Sequence, residues 1–257
     1  MSIGFITKEL YCQDGDKKIY CLIRKPSPSS QGKLPTVIFS HGFGVTNTAQ
    51  SVLQDCLAQM GIVVVSFDFC GGQSDGEGKS DGSIRDMTVF TEKANLLAVI
   101  EMTKALPFVD SSRLFLAGES QGGFVTAITA ASLHEEVCGA FLLYPAFTIP
   151  DNTRKWFGSK GQIPASYDLF GTTVYAKYFE AVIDFDVYKQ LPMIHRPVHI
   201  FHGQRDSVVP LEASLHAISY IPDCILTVFP EEGHGFEARA QRKTAELIAA
   251  EVLHSEY

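Results

Sequence analysis

The sequence predicts an α/β fold: a mostly parallel, eight-stranded sheet with helices on both faces and one inserted segment. Three observations predict it. The runs 35–40, 62–69, 113–119, 138–144 and 197–202 are apolar without polar alternation. Strands of that kind are buried on both faces, which parallel strands between two helical layers are. Segments of helical period lie between several of these runs. In the third run the chain passes from a strand, Leu114 to Ala117, through Gly118-Glu119-Ser120-Gln121-Gly122 into an Ala-rich helical segment. Strand, sharp turn and helix in that order belong to a sheet whose loops carry chemistry at the strand ends.

The elements follow in order. Residues 3–12 and 18–24 read as two strands joined by the turn Asp14-Gly15-Asp16. Pro26 to Gly32 is a polar loop, and 35–40 is the first buried strand, followed at once by His41-Gly42-Phe43-Gly44. A helix is expected over Thr46 to Met60, with Val52, Leu53, Cys56, Leu57 and Met60 on one face. Thr46 or Asn47 would cap its start and Gly61 would end it. After the strand 62–69, residues 70–83 form a Gly-, Ser- and Asp-rich loop. Asp86 is the expected cap of a helix from Met87 to Ala105, stopped by Pro107. The strand 113–119 delivers Ser120, and 138–144 and 197–202 continue the sheet. Ile225 to Phe229 is the last strand, and Ala238 to Leu253 the terminal helix.

One segment breaks the rhythm. Residues 146–196 separate two core strands by far more chain than a crossover helix needs. This segment holds the only tryptophan, Trp156, together with Tyr167, Tyr175, Tyr178 and Tyr188. Aromatic content of that order argues against disorder. The expected organisation is therefore a core of 1–145 and 197–257 with 146–196 as a cap over the site; the bland alternative is a surface excursion.

Composition narrows the function. With 257 residues, 46% of them hydrophobic and 19% charged, the chain has enough apolar content for a sizeable core. Its net charge of −8 argues against a general nucleic-acid binder. No run approaches the roughly 18 apolar residues of a membrane span, and no signal peptide is visible over Met1 to Leu10. The cysteines, Cys12, Cys21, Cys56, Cys70, Cys138 and Cys224, form no CxxC pair or zinc spacing. They read as reduced thiols, which places the protein in the cytoplasm. No metal site, P-loop or dinucleotide fingerprint is present, so no cofactor is expected. The sequence is compatible with a homodimer and does not fix the oligomeric state.

The chemistry follows from Ser120. Gly118, Gly122 and Gly123 give the backbone room for a turn that lifts this side chain above the sheet. A serine hydroxyl is a weak nucleophile and needs a general base, which in turn needs an orienting carboxylate. Asp206 follows the strand 198–201, and strand ends are where the geometry demands the acid; Asp223, Glu231 and Glu232 are its rivals. His234, in Glu231-Glu232-Gly233-His234-Gly235-Phe236, is the candidate base. His41 is the rival base, disfavoured because it precedes the nucleophile; its ring is expected to hold the loop. The oxyanion of an acyl transfer needs two backbone N–H donors. Gln121, which opens the helix after the nucleophile, and Phe43, in the loop after the third strand, are the candidates.

The chain resembles the α/β-hydrolase superfamily and, within it, the bacterial intracellular cinnamoyl (feruloyl) esterases. The resemblance rests on His41-Gly42-Phe43, Phe67-Asp68-Phe69 leading to Ser74-Asp75-Gly76, Met87-Thr88-Val89, Ser120-Gln121-Gly122-Gly123 and Asp206-Ser207-Val208-Val209. It implies that Ser120, Asp206 and His234 are catalytic, that Phe43 and Gln121 supply the oxyanion donors, and that the insertion is a small lid closing on an aromatic acyl group. It further implies a lid aspartate on the ring hydroxyl, near Asp151, and Trp156 is the other candidate substrate-binding residue. Two departures stand out: Glu119 precedes the serine where the family usually has histidine, and the lid matches poorly. The expected function is hydrolysis of small hydroxycinnamoyl-type esters through an acyl-enzyme. An acylglycerol esterase, an acyl-peptide-type hydrolase and a non-catalytic binding fold are the alternatives.

Overall fold

The computed structural model describes residues 3–27, 32–72 and 78–254. Strands β1 (Gly4–Asp14) and β2 (Lys17–Ser27) pair antiparallel at one edge, turning through Gly15 at φ 62°. Then come β3 (Leu34–Ser40), α1 (Ser51–Gln59), β4 (Val63–Phe67), α2 (Val89–Lys104), β5 (Val109–Glu119), α3 (Ser120–Leu133) and β6 (Gly139–Leu143). The inserted segment holds α4 (Ile149–Phe157), a hairpin of β7 (Ser166–Leu169) and β8 (Thr172–Tyr175), and α5 (Ala176–Val182). The chain closes with β9 (Val198–Gly203), α6 (Leu211–Ala217), β10 (Cys224–Phe229) and α7 (Ala238–His254). The eight-stranded sheet has the order β1-β2-β4-β3-β5-β6-β9-β10 and is parallel from β4 to β10.

The continuous apolar runs are explained by what lies on each side. Ile38, Val65, Leu116, Leu142 and Ile200 face one way, into a cluster with α2 and α3. Their chain neighbours Val37, Phe39, Ala117, Phe141 and Phe201 face the other way, against α1 and α7. Successive strand residues point to opposite faces, so a sheet covered twice requires an apolar residue at every position.

Two helix starts differ from the sequence expectation. Helix α1 begins after Gln50, in a left-handed conformation, and not at Thr46 or Asn47. The backbone N–H and side-chain Nδ2 of Asn47 both donate to Asp68 Oδ1, at 2.8 and 2.7 Å, which ties this stretch to the end of β4. The cap of α2 is Thr88 rather than Asp86. Thr88 and Thr91 form a reciprocal capping box, whereas Asp86 pairs with Lys177 of α5 at 3.0 Å.

The insertion is built on aromatic contacts. Trp156 stacks on Tyr167 with ring centroids 5.7 Å apart, and Phe157 meets Phe179 edge-on at 5.0 Å. Tyr178, Phe179, Val182 and Leu191 belong to the same apolar cluster as α2 and α3. The segment therefore shares the core of the sheet. Among the described residues, no helix is long and apolar enough to cross a membrane.

Candidate active site

Ser120 sits at the junction of β5 and α3 with φ 49°, in the left-handed region that only a constrained turn imposes on a serine. The glycines around it are required by packing. A Cβ on Gly118 would fall on the carbonyl of Gly122, and one on Gly122 would fall on the carbonyls of Ser40 and His41. Strand β3 and helix α3 approach that closely, and the approach brings the loop after β3 alongside Ser120.

The loops after β9 and β10 bring the other two groups to the same place. His234 Nε2 lies 2.9 Å from Ser120 Oγ, and His234 Nδ1 lies 2.8 Å from Asp206 Oδ2. A carboxylate can only accept, so Nδ1–H donates to Asp206 and Nε2 is left to accept the serine hydroxyl. Asp206 is itself held: its Oδ1 accepts the N–H groups of Val208 and Val209 at 2.9 and 2.8 Å. Burial alone would raise its pKa, but hydrogen bonds from His202, His234 and the Val209 N–H outweigh burial and hold it well below the ordinary carboxylate range. It is an anion at any pH where the imidazole works.

The rivals lie elsewhere. Glu231 pairs with Arg205, and Glu232 accepts the N–H of Glu237 at 2.8 Å. His41 is fully buried, with Nδ1 2.7 Å from the carbonyl of Gly42 and Nε2 accepting the N–H of Phe69 at 3.0 Å. Both its nitrogens are committed to the loop, which is the role expected of it. His202 is used similarly, bonding Ser214 and the carbonyl of Val209 beside Asp206.

A cavity of about 270 Å³ opens at Ser120. Phe43 and Gln121 both line it, one from the loop after β3 and one from the first turn of α3. The first N–H groups of a helix have no partner within the helix, so the Gln121 N–H needs an acceptor from outside it. The walls are apolar: Ile149, Trp156, Leu169 and Phe170 from the insertion, with Val208 and Val209 opposite. Of the two candidate substrate-binding residues, the structure brings Trp156 to the cavity and not Asp151. Asp151 is exposed and its Oδ1 pairs with Arg154 of the same helix at 2.6 Å. The polar groups of α4 that do line the cavity are Asn152 and Thr153, on the adjacent helical positions. Ser74-Asp75-Gly76, part of the motif set, lies outside the described residues.

Sequence reasoning missed a buried carboxylate. Glu92 of α2 accepts both bonds of the Gln121 amide, Nε2 to Oε1 and Oε2 at 2.9 and 2.8 Å. The Gln121 Oε1 accepts the hydroxyl of Tyr178, in α5, at 2.7 Å. This chain ties the helix after Ser120 to the insertion. Burial pushes Glu92 up to about 8, so it is mostly a neutral acid at pH 7. A signal existed: with Val89, Leu96 and Val99, Glu92 falls on the apolar stripe of its helix, where a carboxylate needs a partner.

The fold and its strand-end site define an α/β hydrolase. A model of the prolyl oligopeptidase family (Peptidase_S9) matches residues 48–251, and the chain belongs to that family. Est1E from Butyrivibrio proteoclasticus, in a structure with ferulic acid bound, is 26% identical, with a TM-score of 0.87 over 96% of this chain and 100% of that one. Acetyl xylan esterase 1 from Thermoanaerobacterium sp. JW/SL YS485 shares the fold at 19% identity, with a TM-score of 0.72 over 98% and 84% of the two chains. The mitochondrial palmitoyl-protein thioesterase ABHD10 of Mus musculus is 24% identical over 226 residues, 82% of this chain and 72% of that protein. Family and esterase relatives together support an enzyme of the hydrolase type.

Proposed function

We propose that the protein is a serine carboxylic-ester hydrolase acting on small aryl-acyl esters of the hydroxycinnamoyl type. The observation that carries the reading is the unbroken chain from Ser120 Oγ through His234 to Asp206, at 2.9 and 2.8 Å. As Ser120 attacks the acyl carbon, His234 takes its proton, and Asp206 stabilises the imidazolium that results. The N–H groups of Phe43 and Gln121 take up the negative charge of the tetrahedral intermediate. His234 then protonates the leaving alcohol, and water resolves the acyl-enzyme by the reverse sequence.

The acyl preference rests on the cavity. Its walls are aromatic and aliphatic, and Asn152 supplies a hydrogen-bonding group among them, in the place proposed from sequence for Asp151. An aromatic ring with a polar substituent fits that lining. Residues 146–196 serve as the lid. The likeness to Est1E with ferulic acid bound supports the same class. Cys12, Cys21, Cys56, Cys70 and Cys224 are free thiols, which supports a reducing compartment such as the cytoplasm. A second reading, thioester hydrolysis, is favoured by the thioesterase relative, and the same machinery would attack an acyl sulfur ester.

The test has two arms. Ser120→Ala should lower turnover of a chromogenic short-chain ester by several orders of magnitude with the fold intact; retained turnover would reject the serine mechanism. Methyl ferulate, acyl esters of increasing length and an acyl thioester should then be compared by kcat/KM. A preference for the long acyl chain or the thioester would sink the aryl-ester assignment and leave the mechanism standing.

A further inference from the structure

The residue before the nucleophile is a buried carboxylate that the mechanism above does not use. Glu119 ends β5 and is 5% exposed. Its Oε1 accepts the N–H of Gly42 at 3.3 Å, and its Oε2 accepts the hydroxyl of Tyr144 at 2.5 Å. Gly42 is the residue before Phe43. Tyr144, which follows β6 at φ 36°, lays its ring against the imidazole of His234, with centroids 4.8 Å apart and planes at 61°. Gln50, at the start of α1, donates its Nε2 to the Tyr144 hydroxyl at 2.8 Å. One side chain thus touches the loop that carries an oxyanion donor and the phenol that backs the general base.

From this arrangement we infer that Glu119 is a positioning residue, one carboxylate that sets both the Phe43 loop and the His234 ring relative to Ser120. The inference rests on the serine mechanism proposed above. Among the described residues no lysine or arginine pairs with Glu119; a carboxylate buried in that way destabilises a fold, and a neutral side chain of similar size would fill the space at lower cost. What the carboxylate adds is two acceptors on one rigid group, each matched to a donor. In a protonated acid or an amide the bond to Tyr144 has to reverse, so that the phenol oxygen accepts from residue 119 as well as from Gln50 and its own proton loses its acceptor. The groups facing Glu119 are the Gly42 N–H, Tyr144, Gln50 and the charge of His234. Burial raises its pKa, and these donors and the imidazolium oppose the rise. The attraction between an ionised Glu119 and a charged His234 is mutual, so the same carboxylate favours the charge that develops on the imidazole during attack.

Kinetics of Glu119→Gln and Tyr144→Phe, alone and combined, test this. Each single variant should lower kcat about 10- to 100-fold with KM nearly unchanged, because misplacement of a reacting group by a fraction of an ångström is felt in the chemical step. The double variant should lose little more than Glu119→Gln alone, since Tyr144 acts through Glu119. The acid limb of kcat/KM against pH should steepen toward two protons in the parent enzyme and fall to one in Glu119→Gln. Full kcat in both single variants, or losses that multiply in the double variant, would overturn the inference. If Glu119→Gln does not fold, Tyr144→Phe, which deletes a single oxygen, decides alone. Activity in Ser120→Ala would condemn the mechanism itself; an inert Ser120→Ala beside a fully active Glu119→Gln would condemn only the role given to Glu119.

Discussion

At the scale of single residues, the site is a set of groups whose charge states are fixed by their neighbours. Asp206 stays ionised because donors surround it, whereas Glu92 stays protonated because burial dominates. Glu92 therefore makes stability depend on pH. Its ordinary value is 4.5 and its folded value is about 8, so the folded state binds the extra proton between them. The stability it contributes is present below pH 4.5 and is lost as pH rises to about 8, at a slope of up to ~1.4 kcal/mol per pH unit. Glu92→Gln keeps the shape and removes the titration. Thermal denaturation should show it raising Tm more at pH 8.5 than at pH 5, and an equal shift at both would contradict the assignment. The meeting of Ser120, His234 and Asp206 was legible in the sequence because each follows a strand and carries its own turn residues: glycines around Ser120 and His234, the loop after β9 for Asp206. Glu119, Tyr144 and Tyr178 were not legible as site residues. Their partners come from other elements, up to 94 positions away in the case of Gln50 and Tyr144.

At the scale of elements, sequence and structure agree where periodicity decides and part where tertiary contacts do. The strands emerged from their apolar runs, since burial on both faces leaves no alternative pattern. Helix α1 lost its first turn because Asn47 bonds to Asp68, an interaction no local pattern encodes. Asp151 and Asn152 differ by one position on α4, about 100° of helical rotation, and only the packed helix reveals which of them faces the cavity. The β7–β8 hairpin shows a further local conflict. Phe170, at its tip, has φ 54°, is 73% exposed and lines the cavity mouth. A phenylalanine in that region of backbone space is strained by on the order of 1 kcal/mol. Phe170→Gly should therefore leave stability unchanged or raise it slightly while raising KM for an aryl ester severalfold, a trade measured by denaturant unfolding beside steady-state kinetics. A large loss of stability, or an unchanged KM, would show that the aromatic tip serves the fold and not the cavity.

At the scale of the whole molecule, the insertion and the sheet share one core. Tyr178, Phe179, Val182 and Leu191 pack into the cluster that α2 and α3 form on the sheet. Trp156 is the only tryptophan, and it lies in the insertion, so its fluorescence reports that segment alone. Far-UV circular dichroism reports the sheet and helices together. Denaturant unfolding should give coincident transitions by the two probes; an earlier fluorescence transition would mean that 146–196 unfolds as a unit of its own. The link from Glu92 through Gln121 to Tyr178 has a mechanical consequence. Were α5 to swing outward, the buried Gln121 Oε1 would lose the Tyr178 hydroxyl as its donor, and the helix that begins at Ser120 would lose its tie to the insertion. One segment thus divides its labour: α5 steadies the start of α3 through Tyr178, while the β7–β8 tip contributes Leu169 and Phe170 to the cavity wall.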